Sequence, residues 1–138
     1  MALSANKNWD FMDYGYEIDA PAGADDIFYK GALVNFNTAG YIVVASDTAN
    51  ETFAGIVSEY VSNSGGSAGD VNVRVRRAAK AWITHTSAAQ TDVGAYFHAS
   101  ADDTISDGEG TNIKEGYKCI KFRTGDLLID FTDKIKTA

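Results

Sequence analysis

Hydrophobic and polar positions alternate most cleanly at VNVRVR, where Val71, Val73 and Val75 fall on one face and Asn72, Arg74 and Arg76 on the other. A period of two predicts a strand with one buried side. The following RRAAKAWI either continues it through Ala81 and Ile83 or bends at Ala78-Ala79. Upstream, the stretch from Ile27 to Val57 reads as strand, turn, strand, loop, strand. Ile27-Phe28-Tyr29 opens it, Lys30-Gly31 marks a bend, and Ala32 to Phe36 and Tyr41 to Ala45 flank Asn37-Thr38-Ala39-Gly40. Asparagine satisfies its own backbone locally and glycine accepts positive φ, so this is a hairpin with a four-residue loop. Phe53 to Val57 begins the next strand.

Ser62 to Asp70 is a connector of small residues, and Thr84 to Thr91 reads as loop. Asp92 to Phe97 resumes strand character. The acidic, turn-rich ADDTISDGEGTNIKEG precedes YKCIKFR, and Leu127, Ile129 and Phe131 form the inward face of a last strand. At least seven short strands separated by turn signals predict an all-β fold, a single small β-barrel or sandwich. Its expected span is residues 21–131, preceded by an extended arm over 1–20 and followed by a polar tail over 132–138.

The arm breaks the pattern. Trp9, Phe11, Met12, Tyr14 and Tyr16 crowd together, interleaved with Asp10, Asp13, Gly15 and Glu17, in neither a strand nor a helix period. Five large apolar side chains are wasted in water, because burying each contributes about 1.5–3 kcal/mol. They either dock on their own domain or a neighbouring subunit, or meet a partner, and they are the candidate contact residues. If the arm is an appendage, deleting residues 1–20 leaves a folded body.

With 138 residues, one core suffices. The net charge of −7 repels phosphate backbones and anionic membranes, so neither nucleic acid nor membrane is an expected partner. Arg74, Arg76 and Arg77 are the local exception, and their alternation with valine reads as a solvated face. No apolar stretch approaches the ~20 residues of a membrane span. MALSANKNWDF lacks the cationic and apolar segments of a signal peptide, which makes use without secretion the expectation.

Candidate chemistry is sparse. A calcium loop from Asp103 fails at its third position, Ile105, and its twelfth, Lys114. Cys119 is the only cysteine, so no intrachain disulfide forms. A nucleophile pair would need it beside His85 or His98, with no third group in evidence. Zinc spacing is lacking. No catalytic, cofactor or metal residue is therefore assigned, and the expectation is a non-enzyme. Trp82 and Tyr41 are stacking platforms if the chain is instead a ligand- or carbohydrate-binding β-domain, for instance of a tail or cell-surface protein.

Several strings in order carry a family likeness: Ile18-Asp19-Ala20-Pro21-Ala22-Gly23-Ala24, Ile27, Gly31-Ala32-Leu33-Val34, Gly40 and Phe53-Ala54-Gly55-Ile56-Val57. Ala68-Gly69-Asp70-Val71-Asn72-Val73, Asp92-Val93-Gly94-Ala95-Tyr96-Phe97, Asp102-Asp103-Thr104 and Leu127-Leu128-Ile129 complete it. Over about residues 18 to 131 the chain resembles the small capsid decoration (cement) proteins of tailed bacteriophages, glycine-punctuated β-barrels with a short N-terminal segment. It departs from them at Arg76-Arg77-Ala78, where members often carry an apolar-acidic-Gly turn, and in the aromatic richness of its arm. The resemblance implies a structural virion protein, assembled in the host cytoplasm, that sits on the outer capsid surface as a homotrimer. It would bridge major capsid protein subunits and stabilise the head. A 20-residue arm reaches at most about 66–72 Å, enough to cross onto another subunit.

Overall fold

The alternation at Val71–Arg76 forms a strand over Asn72–Arg77, with Val73 and Val75 fully buried and Arg74 exposed. The computed structural model describes residues 3–136, and the chain is all-β. Its strands are β1 (Asp10–Asp13), β2 (Tyr16–Pro21), β3 (Ile27–Phe28), β4 (Leu33–Phe36), β5 (Ile42–Val44), β6 (Thr52–Val57), β7 (Val61–Ser62), β8 (Asn72–Arg77) and β9 (Lys80–Thr84). After a 3-10 turn at Gln90–Asp92 come β10 (Tyr96–Ala101), β11 (Thr104–Asp107), β12 (Glu115–Arg123) and β13 (Asp126–Lys136).

One sheet has six strands in the order β1-β9-β13-β12-β10-β11, a second has five in the order β2-β8-β6-β4-β5, and β3 pairs with β7 alone. The two large sheets pack face to face without closing into a barrel. Leu33, Phe53 and Ile56 from the smaller sheet meet Ile83, Phe97, Cys119, Leu127 and Ile129 from the larger. The outer face of the five-stranded sheet is buried too: Val34, Ile42, Ala54, Val57, Val73 and Val75 lie there under Phe28. Burial on both faces is why β4 and β6 read as near-continuous apolar runs. In β6 the register against β4 shifts between Val34↔Gly55 and Asn35↔Phe53, so the bulge at Ala54 sends Phe53 and Ile56 to the inter-sheet core and Ala54 and Val57 to the outer one.

The hairpin at Asn37–Gly40 forms as expected. Asn37 Oδ1 accepts from the N–H groups of Ala39 at 3.0 Å and Tyr41 at 2.9 Å, and Gly40 has φ 87°. At Ala78-Ala79 the chain takes the bend: Ala78 has φ 56°, and β8 and β9 belong to different sheets.

The arm expected over residues 1–20 contains two edge strands, β1 and most of β2. Phe11 pairs with Ala81 and Asp13 with Lys80 in the larger sheet; Tyr16 then pairs with Arg77 and Pro21 with Asn72 in the smaller. The register is continuous from Asp13 onward, so β1-β2 and β9-β8 form one antiparallel ribbon folded over a corner that ties the sheets together. Gly15, with φ 64°, stands at that corner, and its N–H donates to Asp13 Oδ1 at 2.9 Å. A Cβ there would collide with the Arg77 carbonyl oxygen, so glycine is required.

The segment before β1 is pinned as well. Leu3 N–H donates to Asp102 Oδ1 at 2.9 Å, Lys30 N–H to Asn6 Oδ1 at 3.0 Å, and Lys7 N–H to the Lys30 carbonyl at 2.7 Å. Three further boundaries differ from expectation. The stretch expected as a polar tail continues β13 to Lys136, paired with Glu115 of β12, while residues 137–138 lie outside the described residues. Part of the acidic turn segment is β11, in a hairpin with β10. Asp92 to Ala95 is turn rather than strand: Asp92 Oδ2 accepts from Ala89 N–H at 2.9 Å, and Gly94 has φ 93°.

Candidate partner-binding face

The ribbon sorts the five candidate contact residues by register. Trp9, just before β1, is 8% exposed and belongs to the inter-sheet core, with its indole Nε1 bonded to the Gly31 carbonyl. Phe11 faces the same core and is half-buried. Met12 is 63% exposed, Tyr14 57% and Tyr16 55%, all three around the corner. The structure therefore divides the cluster into an internal anchor, Trp9 with Phe11, and an exposed trio, Met12, Tyr14 and Tyr16.

Of the trio, Tyr14 has the built support. Tyr14 stacks on Phe11 with ring centroids 4.8 Å apart, and the Arg76 guanidinium lies 4.9 Å from the Tyr14 ring centre and 5.8 Å from that of Phe11. Glu17, opposite Arg76 in the ladder, holds that guanidinium at 3.4 Å. Arg74 is paired in the same way with Asp19 at 3.1 Å. Arg74 and Arg76 of β8 thus meet carboxylates of β2, while Arg77 donates to the Ala54 carbonyl, and Arg76 is a half-buried cation beneath two aromatic rings rather than a freely solvated charge. Sequence reasoning missed this second role, because the contact joins residues far apart in the chain.

The remaining candidates are occupied. Cys119 is fully buried and donates to the Lys121 carbonyl at 3.4 Å; burial pushes its thiol up to about 11, so it is a thiol at neutral pH and a weak nucleophile. His98 Nδ1 lies 3.0 Å from the Gly108 carbonyl oxygen. His85 packs edge-on against Phe97 and reaches Asp107 at 3.9 Å. Asp103 accepts from the Thr104 hydroxyl at the turn of the β10–β11 hairpin. Trp82 is half-buried with the Arg123 guanidinium 4.3 Å from its ring centre, and Tyr41 packs beside Gly69. Each offers less open ring surface than the corner does.

Asp47 performs a structural task. Its carboxylate accepts from the N–H groups of Asn112 and Ile113, both at 2.9 Å, and Thr111 at 3.1 Å, tying the loop before β12 to the other sheet. Burial opposes its ionisation, but these N–H groups and nearby His98 outweigh that and hold the carboxyl below its ordinary value.

No family model, curated protein or solved structure matches the chain.

Proposed function

We propose that the protein is a capsid decoration protein: a structural, non-enzymatic component that binds the outside of a tailed-phage head and bridges major capsid protein subunits. The observation that carries this reading is the corner of the N-terminal ribbon, where Met12, Tyr14 and Tyr16 are each more than half exposed on strand-paired backbone and Tyr14 is stacked on Phe11. Interfaces enrich aromatic residues and methionine. Side chains on a pre-ordered base lose little freedom on docking, which favours affinity. The ordered strings shared with the decoration-protein family add to it.

In this reading the contact is made by a fixed corner, not by a free arm reaching for a neighbour. A homotrimer presents three such corners to a threefold position, and several modest contacts combine through avidity. Co-sedimentation with undecorated heads assembled from the cognate major capsid protein tests the reading, and absence of binding at saturating protein removes it. A solution mass measurement tests the trimer.

A further inference from the structure

Beside the corner, where the two sheets part, a cavity of about 270 Å³ opens between them. Trp9, Phe11 and Tyr14 of the N-terminal segment line it, opposite Arg76, with Lys7 and Lys30 completing the wall. Three cations on one small cavity stand out in a chain of net charge −7. Glu17 partners Arg76, but no carboxylate among the described residues pairs with Lys7 or Lys30. The backbone bond from Lys7 N–H to the Lys30 carbonyl, 2.7 Å, brings the two residues together on the wall of the cavity.

The aromatic faces already have cations. Lys7 Nζ lies 4.8 Å from the Trp9 ring centre, and Arg76 covers Tyr14. A ligand cation would meet filled ring faces and like charge; a carboxylate meets a wall that is apolar on one side and carries two lysines without an ion-pair partner among the described residues on the other. Cofactor and drug-sized sites usually span about 300–1,000 Å³, so this cavity is sized for one or two side chains.

We infer that the cavity receives an acidic side chain, together with the apolar residue beside it, from a partner protein. The inference rests on the corner being a partner-binding face, with which the cavity is continuous through Tyr14.

The test uses the full chain and two probes, N-acetyl-glutamyl-leucine amide and its glutaminyl counterpart, followed by two-dimensional NMR. The glutamyl probe should produce saturable shifts at the Trp9 indole N–H and the Gly31 amide. Binding should be at least about tenfold weaker for the glutaminyl probe, and also for the Lys7→Gln/Lys30→Gln variant or for Lys30→Gln alone. Equal binding of the two probes, shifts elsewhere, or none at concentrations on the order of 20 mM overturns the inference. Head binding is read separately. A lysine variant that co-sediments as well as wild type keeps the decoration reading and overturns the acidic pocket, whereas probe binding with silent heads keeps the pocket and removes the capsid.

Discussion

The indole Nε1 of Trp9 donates a 2.6 Å hydrogen bond to the carbonyl oxygen of Gly31. It thereby fixes the N-terminal segment to the bend between β3 and β4. Gly31 itself has φ 89°, and a Cβ there would strike the Lys7 carbonyl oxygen, so the two chain segments touch backbone to backbone. Trp9→Ala should cost about 3–5 kcal/mol, the range for emptying a large aromatic site. Trp9→Phe, which removes the donor and leaves the buried Gly31 carbonyl short of a partner, should cost about 1–3 kcal/mol. Urea unfolding measures both.

The ribbon changes the expectation for truncation. Removing residues 1–20 strips β8 and β9 of their edge partners and uncovers apolar core, so the shortened chain should aggregate or unfold instead of surviving as an independent body. Soluble yield and near-ultraviolet circular dichroism decide the point.

At the corner, Gly15→Ala combines a backbone collision with a left-handed conformation. It should destabilise by about 1–3 kcal/mol, readable as a lowered Tm. Gly40→Ala is the control: it carries the φ strain but has open space around it, and should cost less.

The exposed trio should behave in the opposite way to Trp9. Met12→Ala and Tyr16→Ala remove side chains that are mostly in solvent, so stability should change by within about 0.5 kcal/mol. If the corner is the capsid contact, either change should weaken head binding by about tenfold or more. Equal co-sedimentation of both variants with wild type would place the contact elsewhere.

Stability should peak in mildly acidic solution. Asp26 and Asp102 are held above the ordinary carboxyl range, in both cases first by burial. Their ionised forms therefore cost stability at neutral pH, and that cost is relieved as pH falls through their raised folded values. Asp47, held low, contributes stability above about 3.9, the unfolded value, and loses it as pH falls through its folded value. Denaturant midpoints from pH 7 downward should rise, then drop below about pH 4. Asp102→Asn should flatten the rising limb, since the amide keeps an acceptor for Leu3 N–H.

The fold was legible wherever one face of a strand is buried and the other is wet. Val73 and Val75 against Arg74 announce β8, and Asn37 with Gly40 announces the first hairpin. β11 was hidden because Thr104-Ile105-Ser106-Asp107 offers one buried apolar side chain, Ile105. The last five residues of β13 were hidden because Thr132 to Lys136 are polar or exposed and held by backbone pairing to β12. At the candidate site, composition identified the aromatic cluster but not its division. Which of Trp9 and Met12 faces the core is decided by register against β9, and the Arg76 contact comes from a strand far along the chain.

The ribbon also sets an order of events during synthesis. β1 and β2 leave the ribosome before their partners β9 and β8, with β3 to β7 made in between. Until those later strands appear, Trp9 lacks the part of its core that Ala81 and Ile83 supply, and closing so long a loop carries an entropic cost that local hairpins such as β4–β5 avoid. The β1-β2 seam should therefore close later than local hairpins such as β4–β5. Pulse-labelled hydrogen exchange would register this as late protection of Phe11 and Ile18 relative to Val34 and Val43.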